Sequence, residues 1–276
     1  MTDPAFVDLP TLAGRIPDGA HIALPADYSG CAMAVVRELM RRPVRGLRIV
    51  SVPQGGFQVD MLIGAGCVAE VEAAAVTLGE HGVAPRFTAA IRAGAIAMRD
   101  STCPAIHAGL QAAEKGVPFM PLRGIIGSDL LRVRSEWKTI ENPVAGNGVR
   151  DPIVVLPAIR PDIALFHALK ADMHGNVWIG VQRELMTMAH AARQTLVTVE
   201  RVEDADFLRS AELAAGTIPA LYISAIAEAR NGAWPVGLDH AYPPDRNALS
   251  AYAAAAATAN DFACWIAEKT SDPLHS

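Results

Sequence analysis

AHIALPADYSGCAMAVVRELMRRPVRGLRIVSV, from Ala20 to Val52, is the stretch that decides the fold. It opens and closes on short apolar runs, AHIAL (Ala20–Leu24) and LRIVSV (Leu47–Val52), the second rich in β-branched residues that suit a strand. Between them Ala32, Val35, Val36, Leu39 and Met40 recur at i, i+3, i+4, i+7 and i+8, which is one face of a helix. Ser29 is placed to cap the start of that helix and Pro43 to stop it. Strand, helix, strand is a βαβ unit, and its crossover predicts a parallel pair.

The same alternation continues along the chain. Strands are expected at Ala73–Leu78, Gly94–Met98, Val117–Met120, Ile153–Ala158, Asp162–Ala168, Thr195–Glu200 and Ala220–Ile226. A helix is expected from Pro104 to Lys115, with Ser101 or Thr102 near its start and Gly116 past its end. A long amphipathic helix is expected over Ala248–Lys269. With no linker and no internal repeat, residues 1–276 read as one α/β domain: an open, mostly parallel sheet flanked by helices. The two longest irregular stretches, Asp129–Pro152 and Asn231–Arg246, are long enough to serve a site or an interface.

Bulk composition excludes several classes. Apolar residues make up 51% of the 276 and charged residues 19%, which suits a buried core and excludes disorder. The net charge is −5, and the densest basic run, RRPVRGLR (Arg41–Arg48), is broken by Pro43 and Gly46. It reads as a helix end, and no nucleic-acid partner is expected. MTDPAFVDLP lacks a basic start followed by an apolar run, so no signal peptide is expected. No stretch approaches the roughly 20 apolar residues of a membrane helix, so the chain is expected to be cytoplasmic and off the membrane. Cys31, Cys67, Cys103 and Cys264 are scattered without Cys-x-x-Cys spacing and read as free thiols in a reducing compartment.

Ligands of an open α/β sheet bind beyond the carboxyl ends of the strands. Four stretches fall there: PADYSG (Pro25–Gly30), PQGGF (Pro53–Phe57), PLRGIIGSD (Pro121–Asp129) and LKADMHGN (Leu169–Asn176). Glycine lets backbone N–H groups approach a ligand, and Gln54 adds a side-chain amide able to donate to a carbonyl or oxyanion. The plain alternative is that these glycines make turns. Neither Gly55-Gly56 nor Gly124-Ile-Ile-Gly127 fits a dinucleotide fingerprint or a P-loop, and no G-x-S-x-G marks a hydrolase elbow. Arg123 suits either a structural ion pair or a ligand phosphate or carboxylate. His107 sits inside a helix and reads as packed. Asp172 and Asn176 read as closing a turn through Asx bonds. His167, Asp172 and His174 are not read as a metal site, because His167 lies in a strand, the other two in a turn, and no fourth ligand is evident.

At these residues the chain resembles the α (A) subunit of family I CoA-transferases, the glutaconate CoA-transferase type in particular. Five segments carry the resemblance in order: IPDGAHIAL…AMAVVRELMRR, LRIVSVPQGGFQVDMLIGAGCV with its LIGAG (Leu62–Gly66), GLQAAEKGVPFMPLRGIIGSDL, PAIRPDIALFHALKADMHGNV and NGAWPVGLDHAYPPDRNALSAY. The resemblance implies a CoA-transferase-type α/β fold and a β-type partner subunit of similar fold. It implies transfer between an acyl-CoA and a carboxylic acid through an enzyme-bound glutamyl-CoA thioester, the glutamate belonging to the β subunit. Coenzyme A thioester is then a substrate, and no cofactor or metal is held permanently. Gln54, Gly55 and Gly56 become the candidate hydrogen-bond donors. Arg123, with Gly124 beside it, becomes the candidate for the substrate carboxylate, on a loop lining the cleft. Many α subunits of the family carry Gly-Gly-Phe after the first strand. Here Leu24-Pro25-Ala26-Asp27-Tyr28 stands instead, adding Tyr28 bulk and Asp27 charge, which points to an unusual acyl group or reaction. Two alternatives stay open. One is a steroid-ring-opening acyl-CoA hydrolase, where the working carboxylate lies on the α-type chain and Asp100 is the candidate base. The other is a non-catalytic acyl-CoA-binding or assembly subunit.

Overall fold

The computed structural model describes residues 4–42, 44–146 and 148–271. The helix stop expected at Pro43 lies outside the described residues. The first half contains β1 (Ala5–Phe6), α1 (Leu9–Gly14), β2 (His21–Pro25), α2 (Met33–Arg41), β3 (Leu47–Val52), α3 (Phe57–Gly64), β4 (Val68–Ala73), α4 (Pro85–Arg92), β5 (Ala97–Asp100) and α5 (Cys103–Glu114). There follow β6 (Phe119–Leu122), α6 (Leu130–Val133), β7 (Lys138–Glu141), β8 (Pro152–Pro157), β9 (Ile163–Asp172) and β10 (Val177–Trp178). The last are α7 (Arg183–Ala191), β11 (Gln194–Glu203), β12 (Thr217–Ile218), β13 (Ala225–Glu228), α8 (Arg246–Ala255) and α9 (Ala259–Ser271).

The large sheet runs β1-β13-β11-β9-β2-β3-β4-β5, and every pairing along that path is parallel. Only the short β10 and β12 join it antiparallel. Alternate residues of its central strands are buried on opposite faces. Ile22, Leu24, Ile49, Leu165 and Leu196 pack with α1, α2, α3 and the α8 residue Tyr252. Ala23, Val50, Phe166 and Val197 pack with Ile106 and Leu110 of α5 and Leu185 and Met188 of α7. Burial on both faces is why these strands read as continuous apolar runs.

Several expectations shift. The strands expected at 73–78 and 94–98 fall at Val68–Ala73 and Ala97–Asp100. The real strands include Glu70, Glu72 and Arg99, which a search for apolar runs passes over. Glu72 and Arg99 are ion-paired side chains. Two strands expected in the main sheet, β6 and β8, instead form with β7 a separate antiparallel sheet in the order β6-β8-β7. Their prolines, Pro121, Pro152 and Pro157, cannot donate to a ladder and suit the margins of a small sheet. Residues 220–222 form a 3-10 turn after Pro219, so β13 begins later than expected, at Ala225. The single long terminal helix is two helices, because Thr258 accepts from the Asp261 N–H at 3.1 Å and starts α9 afresh. Ser29 does not cap α2. Its hydroxyl donates to Glu184, and Ala32 precedes the helix without a side-chain cap. Thr102 does cap α5, accepting from the Ala105 N–H at 3.2 Å, and Gly116 follows that helix at φ +68°.

Candidate functional site

Three strand-to-helix loops of the central sheet converge beyond the carboxyl ends of β2, β3 and β4. After β3 the chain turns through Pro53-Gln54-Gly55-Gly56 into α3. The Gly55 N–H donates to the Ala75 carbonyl at 2.9 Å, and the Gly55 carbonyl accepts from Thr77 N–H at 3.0 Å. Gly55 is therefore a wall of the site whose donor is already used, a correction to its expected role. Gly56 stands at the start of α3, and a Cβ there would fall 1.9 Å from Asp27 Oδ2. Only glycine admits the Asp27 carboxyl at that point. The Asp27 carboxylate accepts from Phe57 N–H, 3.2 and 3.1 Å from its two oxygens, supplying from a neighbouring loop the cap that Gly56 cannot. Burial pushes the Asp27 carboxyl up to about 6, against the opposing pull of the Phe57 N–H and the Cys31 thiol. The Gln54 side chain is half-buried and has no hydrogen-bond partner among the described residues.

Beside these loops lies a cavity of about 240 Å³, walled by Asp27, Gln54, Gly56, Phe57, His81 and Leu249 among others. A shallower recess of about 620 Å³ adjoins it under residues 236–244. A third, narrow pocket lies over Gly30, His167 and Trp178. Tyr28 lines all three, so they form one groove, and its ring stands 64% exposed at the junction.

The groove's outer wall is the segment 231–245, and a buried network fastens it. The Glu200 carboxylate accepts from Asn231 N–H (2.8 Å), Gly232 N–H (3.2 Å) and the Tyr242 hydroxyl (2.8 Å), and lies 2.8 Å from His167 Nε2. A carboxylate only accepts, so Nε2 carries the proton, and the Thr198 hydroxyl donates to Nδ1 at 2.8 Å. Burial lowers the His167 pKa below the usual value, against the pull of Glu200. Burial would raise Glu200, but the His167 and Tyr242 bonds outweigh it and leave it low. The network is thus a neutral imidazole on an ionised carboxylate. A Cβ on Gly232 would fall 2.4 Å from His167 Cε1, so the segment lies directly on the ring. Sequence reading missed Glu200 and Tyr242. The signal was the parallel register of β9 and β11, which sets Thr198 opposite His167 with Glu200 two residues on and on the same face.

Other expected site residues lie elsewhere. Arg123 and Gly124 follow β6 on the small sheet. Arg123 is exposed and bonds both oxygens of Asp151 at 3.0 and 2.6 Å, holding that carboxyl below its usual range. Neither residue lines the groove, so of the two roles open to Arg123 this chain displays the ion pair. Asp100 ends β5 with an exposed side chain, outside the groove, and its carbonyl accepts from Arg134. Asp172 does close its turn, accepting from His174, Asn176 and Phe207 N–H groups and the Asn176 amide at 2.8–3.0 Å. His107 is half-buried in α5.

A parallel sheet covered on both faces, with a glycine-turned groove beyond its carboxyl ends, defines an α/β protein of the ligand-binding open-sheet class. The chain belongs to the coenzyme A transferase family, whose model matches residues 10–229. It is 30% identical over 258 residues to the A subunit of 3-oxoadipate CoA-transferase from Pseudomonas knackmussii, covering 91% of this chain and 88% of that one. It is 32% identical over 232 residues to the IpdA subunit of the cholesterol ring-cleaving hydrolase from Rhodococcus jostii, covering 82% and 78%. It spans 56% of the length of an uncharacterized protein of Archaeoglobus fulgidus, at 28% identity. The crystal structure of glutaconate coenzyme A-transferase from Acidaminococcus fermentans superposes with a TM-score of 0.87 at 27% identity, over 98% of this chain and 90% of that one. The expected family and fold are borne out. Among the described residues no helix is long and apolar enough to cross a membrane.

Proposed function

We propose that this chain is the α-type member of a two-chain CoA-transferase that moves CoA between an acyl-CoA and a carboxylic acid, with residues 1–276 acting as one domain in the cytoplasm. The observation that carries the reading is the groove itself. It offers a Gln54 amide without a hydrogen-bond partner among the described residues, and each acid lining it has a partner: Asp27 the Phe57 N–H, Glu80 both His81 and Arg246, Asp239 the His240 ring. Asp27, the carboxyl nearest the turn, is occupied in capping α3. A thioester carbonyl seated there gains a donor for the charge that develops on its oxygen. The attacking glutamate is then supplied by a β-type partner, and this chain contributes positioning, which is most of what such a weak nucleophile needs. Coenzyme A enters and leaves as substrate, with no group held between turnovers.

The ring-cleaving relative keeps a hydrolase reading in view. That reading needs a working carboxylate on this chain, and exposed Asp100 lies outside the groove. The test is an assay of the complex purified from native cells through a tag on this chain, with acyl-CoA and a carboxylate acceptor. CoA exchange between the acids supports transfer. Hydrolysis that ignores the acceptor replaces transfer with the hydrolase reading, and binding without turnover replaces it with the assembly-subunit reading.

A further inference from the structure

No lysine or arginine lines any part of the groove among the described residues. Three acids do: Asp27 and Glu80 at the Gln54 end, Asp239 at the other. The cations beside these walls already have partners, one of them a wall acid itself. Arg246 faces Glu80 at 3.7 Å, Lys170 bonds Glu203 at 3.1 Å, and Arg37 donates to the Trp234 carbonyl at 2.9 Å. The histidines of the groove each face a carboxylate: His81 with Glu80 at 3.9 Å, His240 with Asp239 at 3.4 Å, His167 with Glu200 at 2.8 Å. The rest of the Gln54 cavity is largely apolar, with Phe57, Leu78, Val236 and Leu249 on its walls.

A carboxylate moved into such a cavity loses its water and meets no lining lysine or arginine of this chain, only Arg246 beyond Glu80, which that acid already pairs. An uncharged acyl tail meets no such penalty and gains by covering the apolar wall. We infer that the groove selects CoA thioesters whose acyl group ends without charge, and discriminates against acyl groups that keep a second carboxylate, such as glutaryl. The inference rests on the acyl-CoA reading of the site. It places the tail in the Gln54 cavity, whose lining holds no lysine or arginine among the described residues. Tyr28, exposed at the junction, supplies an aromatic face to an apolar tail at the position where relatives of this type are expected to carry a smaller loop.

The test compares butyryl-CoA with glutaryl-CoA on the complex purified from native cells, by kcat/KM for CoA exchange and, separately, by calorimetric Kd. The expected result is at least a ten-fold preference for butyryl-CoA in either measurement. Equal or better use of glutaryl-CoA overturns the inference while leaving the transferase reading intact. Binding with that preference but without exchange keeps the inference and removes the transferase reading. Failure to bind either thioester overturns both. A second arm uses Glu80→Arg, which places a cation on the wall. The butyryl-to-glutaryl ratio is expected to fall at least ten-fold, and an unmoved ratio contradicts the placement of the tail in this groove.

Discussion

Two clefts on the central sheet use charge in opposite ways. At the carboxyl ends the groove is turned by glycine, walled by apolar side chains and three acids, and lacks a lining arginine or lysine among the described residues. Beneath the small sheet, a cleft of about 360 Å³ is crowded with arginines: Arg48, Arg99, Arg134, Arg160 and Arg193. There Arg134 bonds buried Glu72 at 2.7 Å, Glu136 at 2.8 Å and the Asp100 carbonyl at 2.6 Å, and lies over the Trp137 ring at 4.2 Å. Charge in this cleft fastens the small sheet to the large one. In the groove no lysine or arginine lines the walls among the described residues, and the Gln54 amide is left as the donor for a ligand. Stability and function are thereby assigned to different residues, and substitutions should separate them.

The sharpest separation is Arg134→Ala. It leaves Glu72 buried without its closest cation, a change of the kind that costs about 3–5 kcal/mol. Chemical denaturation of the complex is expected to show that loss, with kcat/KM of the surviving folded protein little changed. A proportionate fall in kcat/KM would mean that the two clefts are coupled.

Gln54→Ala is the mirror image. Removal of one preorganised donor is expected to lower kcat by about 100-fold, the scale found when such donors are deleted, with the melting temperature unmoved. An unchanged rate would take Gln54 out of the chemistry.

Asp27 joins the two themes, since it caps α3 and lines the groove. Its carboxyl is raised to about 6 by burial, so the folded state holds a proton that the unfolded chain has already released. For an acid raised in this way stability is greatest below the unfolded value, near 4, and is lost as pH climbs to about 6. The loss is on the order of 3 kcal/mol at about 1.4 kcal/mol per pKa unit. Asp27→Asn is expected to flatten the stability profile between pH 4 and 6, so that the variant gains on the natural protein as pH rises. Parallel profiles would contradict the burial argument.

The smallest effects belong to Asp100→Asn and Arg123→Ala. Both side chains are exposed and outside the groove, and Arg123 makes only a surface pair with Asp151. Turnover is expected within two-fold of the natural complex and the melting temperature little moved, as for exposed ion pairs.

These contrasts also explain what could be read from the residues alone. The βαβ unit at Ala20–Val52 was legible because both faces of its strands are buried and its helix keeps a clean apolar stripe. The Gln54-Gly55-Gly56 turn was legible because glycine after a strand marks a loop, yet only coordinates reveal that Ala75 already holds the Gly55 N–H. The strand carrying Glu72 was misplaced, because a charged residue on a strand looks like a boundary until its partner, 62 positions away, is known. Arg123 drew attention for its chemistry, but nothing local tells whether Asp151 will claim it. Glu200 and Tyr242 were hidden for the same reason: a network across 42 residues of chain has no local pattern.

The central claim is that this chain builds a groove for an acyl-CoA whose reactive carboxylate arrives on another polypeptide. The most direct measurement follows CoA exchange between an acyl-CoA and a carboxylate acceptor in three samples: this chain alone, the co-purified partner alone, and the two recombined. Exchange only on recombination is the predicted result. Exchange by this chain alone at the rate of the recombined pair would contradict the account.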